Sequence, residues 1–286
     1  MNNSSQGAWN NKRHLILASS AASLLWAAIP TVQAEEINLI QERGQVSLGT
    51  FLNNSDLKIR VDGETTTGDN VDWDNTFGDK DVTRFRLDGL WRISDRHHMR
   101  FMYTDYSRTR TETIDQEINW QDDVFPVNAV VTGGTSFEII EAAYEYAFMR
   151  EENYELAGSA GLHYTTLSAT LKADVAAPGG GGGTVEIGGP ASVDMPLPVI
   201  GLHGMWRMGG NFYLDAHAQY FALSIDNIDG SIVNYRAAFI WQPKKYLGLG
   251  LGYDSFKIDV DVSKPRFTGS MDWTYAGPQA FINFSF

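Results

Sequence analysis

The stretch Gln279-Ala280-Phe281-Ile282-Asn283-Phe284-Ser285-Phe286 sets the fold. Ala280, Ile282, Phe284 and Phe286 put one face of a strand wholly in apolar side chains, while Gln279, Asn283 and Ser285 stand on the other. Side chains alternate across a strand with period two, so this pattern describes a strand with one face in hydrocarbon and one in a polar interior. Such a strand must be paired along both edges, because unpaired backbone groups are not tolerated in a bilayer. The expectation is a closed transmembrane barrel.

Ending on an aromatic with apolar residues at alternate positions before it, the chain resembles the C-terminal strand of Gram-negative outer-membrane proteins. In that setting Ile282, Phe284 and Phe286 would be the signal read by the outer-membrane insertion machinery, with periplasmic chaperones as partners on the way.

At the other end, Lys12, Arg13 and His14 precede an apolar run from Leu15 to Ile29, then Pro30 and the small-residue ending Val32-Gln33-Ala34. This is the form of a secretory signal peptide, with cleavage expected after Ala34. The expected organisation is a signal peptide over 1–34 and one outer-membrane barrel domain over 35–286. The run is too short to cross a bilayer, and no later stretch approaches the ~20 apolar residues a transmembrane helix needs. An exported β-sandwich would share the export signal and the alternation, but not the terminal Phe286 or the placement of aromatics.

There is no cysteine, so no disulfide framework is available after export. Taking Lys12 and Arg13 from the 22 Lys and Arg leaves 20 against 35 Asp and Glu, a formal charge of -15 after cleavage. So acidic a chain is not a nucleic-acid binder. The run Asp62, Glu64, Asp69, Asp72, Asp74, Asp79 and Asp81, opposed by Lys80 alone, reads as a solvated loop, with bridging of divalent cations or lipopolysaccharide as its alternative.

Alternating segments give ten strands, with eight or twelve as alternatives, in an all-β, up-and-down antiparallel order. They are expected near 45–59, 82–93, 99–107, 137–149, 154–171, 199–208, 212–225, 232–241, 247–262 and 271–286. Short connections at 94–97, 151–153, 209–211 and 242–245 alternate with longer ones, as in outer-membrane barrels with periplasmic turns and extracellular loops. A turn at Gly209 to Asn211 sets Trp206 opposite Leu214 and His203 opposite His217. In the ninth segment, Leu247, Leu249, Leu251 and Tyr253 are outward, but apolarity then moves to Phe256, Ile258, Val260 and Val262. A bulge, or the point where the strand clears the membrane, would explain the change. Gly179 to Gly183, between Pro178 and Pro190, reads as a mobile tether. Trp91, Phe148, Tyr154, Trp206, Phe212, Trp241 and Tyr246 would form a periplasmic aromatic girdle.

The positions facing the lumen carry Arg84, Arg86, Arg92, Arg100, Arg207 and Arg236 against Asp88, Glu141, Glu145, Glu155 and Asp215. Around eight strands an interior is just filled by side chains, and an aqueous channel needs about sixteen. Ten strands lined with long, opposite charges should be plugged by ion pairs or left with a narrow passage. His163, His203 and His217 are expected at similar heights on three adjacent strands, with Asp215 nearby. Hydrogen bonding within the polar lumen is the first reading of this cluster; a pH-sensitive plug and a transition-metal site are its alternatives. Neither a cofactor nor a resident metal is called for.

The residues Leu87-Asp88-Gly89, Trp91-Arg92 and Tyr103-Thr104-Asp105-Tyr106 are similar to a group of uncharacterised proteobacterial outer-membrane barrels. The likeness to the small OmpA and OmpW barrels is architectural. It implies the outer membrane of a Gram-negative bacterium, with outer-membrane lipids and lipopolysaccharide as neighbours, and carries over no catalytic residues. The expected role is structural or surface-exposed, or a narrow passage, for a monomeric protein. The alternatives are a channel for a small or hydrophobic solute and an outer-membrane enzyme. A lipid A hydrolase would need its nucleophile and His on the lipid wall or outer rim, whereas Ser159, His163 and His217 face inward. An omptin-like protease would need Asp and His pairs at the outer rim, and no such motif is found.

Overall fold

The computed structural model describes residues 37–78, 81–176, 184–225, 227–264 and 267–286; the expected signal peptide and the glycine run 179–183 lie outside them. In chain order the elements are β1 (Gly44–Val61), β2 (Val71–Asp72), α1 (Trp73–Phe77), β3 (Asp81–Arg92), β4 (His97–Thr113), β5 (Ile118–Trp120), β6 (Asp123–Phe125) and β7 (Val130–Arg150). They continue as β8 (Tyr154–Ala176), β9 (Thr184–Gly209), β10 (Phe212–Ile225), β11 (Ile228–Lys244), β12 (Leu247–Lys264) and β13 (Phe267–Ser285). Ten of these form the wall, each antiparallel to the next in chain order, and β13 pairs back onto β1 from Gln45↔Ser285 to Val61↔Gly269. The sheet therefore closes on itself as an antiparallel barrel, which removes the edges that an open sheet would expose. The terminal Phe286 completes the closure: Gly44 donates to its carbonyl at 2.8 Å and Phe286 donates back at 3.0 Å.

The register expected across β9 and β10 is the one observed, with Trp206↔Leu214 and His203↔His217. Outward residues are the apolar ones in the lower wall: Tyr235, Phe239 and Trp241 are all exposed, as are Leu249, Leu251 and Tyr253. Six of the seven girdle aromatics are among the exposed large side chains, and Tyr154 is half-buried.

The strands are much longer than a bilayer requires. β9 has 26 residues, which at ~3.3 Å per residue is about 85 Å, against the ~9–11 residues a tilted spanning strand needs. The upper strand ends at 107–113, 130–136, 172–176 and 184–198, read from sequence as connections, are paired wall. Pro190 accordingly sits inside β9 rather than beside a loop. The change of apolar face in β12 is not a bulge, because its ladder with β13 runs unbroken from Gly248↔Asn283 to Lys264↔Phe267. Even-numbered residues of β12 point inward throughout. Above the membrane the outside turns polar and the inside apolar, so Phe256, Ile258, Val260 and Val262 are buried while Lys257, Asp259 and Asp261 are exposed.

One seam interrupts the upper wall. β9 and β10 pair only as far as Ile200↔Tyr220, although both strands continue. Arg207 donates its N–H to Asn153 on the β8 side. Along the unshifted β8–β9 ladder, odd-numbered N–H groups of β9 therefore face β8 and even-numbered ones face β10. Pro190, Pro196 and Pro198 occupy even positions, so the missing donors fall on the β10 edge and the ladder stops there.

Candidate functional site

The lumen is filled in three storeys. At the short-turn end, residues 37–41 run into the barrel mouth, where Ile37, Leu39 and Ile40 pack with Met205, Tyr213, Ile240 and Phe281. The Tyr213 hydroxyl donates to the carbonyl of Ile37 and accepts from the N–H of Leu39, and Arg150 donates to the carbonyl of Ile40. Phe281, an apolar residue between Gln279 and Asn283 on the inward face of β13, lies against the backbone of Gly250, where an added β-carbon would stand 2.1 Å from its Cζ. A glycine is needed there because the ring covers the strand.

The middle storey is a chain of ion pairs joined by histidine contacts. Asp254 accepts from Arg86 at 2.8 Å, and the same guanidinium binds Asp88 at 2.9 Å. Arg236 stands 3.9 Å from Asp88 and 3.5 Å from Asp215. His203 links Asp215, at 2.9 Å, to Glu145, at 3.1 Å, which also takes Arg100 at 2.7 Å. His98 bridges toward Glu155, which is bound by Arg92 at 2.7 Å and Arg150 at 3.5 Å. Removing one partner from such a buried chain leaves its neighbour charged and unpaired, which costs about 3–5 kcal/mol. The space left beside Asp88, Arg100, Asp215 and Arg236 is about 30 Å³, enough for a water or two.

Most of the lumen residues expected from sequence meet here, with three departures: Glu141 stands apart beside His163 and Gln219, and two arginines lie elsewhere. Arg207 is half-buried at the turn after β9 and donates to the carbonyl of Gly210. Arg84 is buried against rings, with its guanidinium 4.4 Å over Tyr106 and Trp273 and 5.0 Å over Tyr275. Asp254, His98 and Arg150 are members that the sequence pattern did not single out. Asp254 follows Tyr253 at the change of apolar face, where a polar inward position is hidden by the altered pattern.

The three histidines do not form one cluster. His203 and His217 are cross-strand neighbours, but His163 pairs with Leu197, six residues along β9 from His203. Each imidazole has its own neighbour: His163 lies 3.2 Å from Glu141, His217 2.9 Å from Asn234 Oδ1, and His203 between two carboxylates. Among the described residues no group of three or more His, Asp or Glu side chains is placed to hold a metal ion. The expectation of similar heights failed because β8 pairs with β9 in a register that no short turn fixes.

The upper storey is a hydrophobic core roofed by folded loops. Trp73 and Phe77 of α1 and Trp120 and Phe125 of the β5–β6 hairpin are all at most 1% exposed. Trp73 meets Phe77 at 4.9 Å and Trp120 at 5.8 Å between ring centroids. They rest on Phe137, Phe256 and Trp273 of the wall. The acidic run is thus not simply a solvated loop, since several of its carboxylates tie backbone. Asp72 caps α1 by accepting from Asn75 N–H at 3.0 Å, and Asp69 accepts from Asn119 N–H at 2.7 Å. Asp74 accepts from Leu57 N–H at 2.7 Å and from Arg108 at 3.0 Å. Burial pushes the Asp74 carboxyl up and Arg108 pulls it back. Asp122, across the mouth, accepts from the N–H groups of Glu64 and Thr65 and from the Thr65 hydroxyl, which hold its carboxyl below the ordinary value. Tryptophan and phenylalanine in connections predict such a roof, but the acidic composition around them masks it.

No family model and no curated protein matches the chain. Solved structures do share its architecture. The outer-membrane protease OmpT from Escherichia coli is similar with a TM-score of 0.54 and 10% identity, covering 85% of this chain and 96% of that one. Ail, the attachment invasion locus protein of Yersinia pestis, gives 0.35 and 12% over 85% and 99%. The transport unit of the autotransporter AIDA-I from Escherichia coli gives 0.41 and 9% over 86% and 91%. The fold is that of the outer-membrane β-barrels.

Proposed function

We propose that the chain is a sealed barrel of the Gram-negative outer membrane, exported by a signal peptide cleaved after Ala34 and inserted through its C-terminal strand. Its role is structural or surface-directed, as a monomer among outer-membrane lipids and lipopolysaccharide. One observation carries this reading: the lumen is stopped at three successive heights, by residues 37–41, by the ion-pair chain and by the α1 and β5–β6 roof. A solute channel needs a continuous polar or apolar path, and each storey interrupts the kind of path the others would offer. The wall above the membrane, polar outside and cored inside, favours presentation of a rigid extracellular surface.

A non-catalytic role fits the same geometry. The histidines of the described residues stand in the wall strands, and His163, His203 and His217 are engaged by Glu141, Asp215, Glu145 and Asn234. The test is single-channel recording of the full chain in planar bilayers. The expected trace is flat at physiological voltages; a steady conductance in every insertion would sink the sealed reading and revive the channel.

A further inference from the structure

The lipid-facing wall is not uniformly bulky. Across five strands one row of outward residues runs in register as Phe239, Leu251, Ala280, Thr50 and Phe85. Large side chains flank two small ones. Thr50 and Ala280 leave an apolar depression of about 790 Å³ in the outer wall, within the ~300–1,000 Å³ range of small-molecule sites. Its floor reaches the backbone of Gly49 and Gly250.

The depression runs toward the periplasmic end, where Trp241↔Leu249 form its last walls on β11 and β12. The turn just below carries Lys244 and Lys245, both exposed. At ~3.3 Å per residue they stand about 10 Å beneath Trp241. Neither lysine has a carboxylate within salt-bridge distance among the described residues, though Lys245 lies 5.9 Å over the Tyr246 ring, and Arg43, two strands away, is held more closely over the Trp91 ring at 5.2 Å. In a chain with so large an excess of acids, an apolar depression ending at exposed cations free of carboxylates is complementary to an anionic amphiphile.

We propose that this depression is a binding site for an anionic phospholipid of the periplasmic leaflet, with an acyl chain over Ala280 and Thr50 and its phosphate at Lys244 and Lys245. The site rests on the reading that the barrel spans a membrane. The lining spans β3, β1, β13, β12, β11 and the start of β10, and the exposed cations at its foot favour a lipid phosphate over a second copy of the barrel. The two lysines choose the anionic headgroup, since each basic group near a membrane surface contributes a modest, additive attraction.

The test uses the full chain in lipid nanodiscs containing phosphatidylglycerol and phosphatidylethanolamine, followed by native mass spectrometry. Retention of phosphatidylglycerol on the released protein is expected, falling about tenfold or more for K244E/K245E. A280W should lose both lipids, because it fills the floor without altering the rim. Retention unchanged in both variants, binding of added lipopolysaccharide in place of phospholipid, or a dimer cross-linked through A280C would each overturn the site. Heat-dependent migration and vesicle insertion of the wild type are scored first. A chain that fails both refutes the membrane reading itself, and one that passes them but shows no selective lipid refutes only this site.

Discussion

Phe77 occupies the place a side chain on Gly133 would take: a β-carbon built on Gly133 would stand 2.5 Å from the Phe77 Cζ. Phe125 covers Gly188 in the same way, at 2.6 Å, so both halves of the roof are seated on glycines of the wall. The contact is between backbone and ring, and neither can yield far.

Gly133→Leu should therefore unseat α1 without opening the barrel. Overpacking of this kind costs about 1–3 kcal/mol, which the roof bears and the closed ladder does not. Limited proteolysis should cut the 62–78 segment faster in the variant, with heat-dependent migration of the barrel unchanged. Equal cleavage rates would show that the ring is not what holds the roof.

Arg86→Ala removes the link between Asp88 and Asp254 and leaves two buried carboxylates. Destabilisation of about 3–5 kcal/mol is expected, read by urea unfolding in detergent micelles. Replacing Arg86 and Asp254 together by Met and Leu should cost less than Arg86→Ala alone. A double variant as unstable as the single one would mean that packing, not charge, dominates this storey.

The seam between β9 and β10 exists because two donors are missing. Pro196→Ser with Pro198→Ser restores them on the β10 edge and should let the ladder continue past Ile200↔Tyr220. Each new backbone bond contributes about 0.5–1.5 kcal/mol, partly offset by the added freedom of the unfolded chain. Hydrogen exchange of residues 221–225 should slow in the variant. If it does not, something other than the prolines keeps the strands apart.

The Asp122 tie sets a pH limit on the mouth. Because hydrogen bonds from Thr65 and Glu64 lower its folded pKa, its contribution is present above the ordinary value of 3.8 and is lost only as the pH falls through the lower folded value. The Thr65 amide resonance should move on acidification with a midpoint below 3.8, and Asp122→Asn should abolish the step. A midpoint at or above 3.8 would contradict the assignment.

Strand number and lipid-facing residues were legible in the sequence because both follow from period two, which Phe85 to Gly89 and Leu214 to Tyr220 display without interruption. Membership of the ion-pair chain was largely legible for the same reason, since inward parity alone selects Arg86, Asp88, Glu145 and Asp215. Partnership was not. Arg84 has the parity of Arg86, yet it stacks on aromatics that come from β4 and β13, a meeting set by closure rather than by spacing. The upper wall was hidden because solvent inverts there: Phe256 and Lys257 obey the same geometry as Gly252 and Leu251 while reversing their chemistry.

That inversion means each long strand is checked twice. Slide one by a single residue and oily groups would be forced into the ion-pair layer below while carboxylates and lysines were driven into the aromatic attic above. An ordinary membrane strand suffers one of these penalties; here two independent errors fall on one mistake, so assembly has little tolerance for misalignment anywhere along its height.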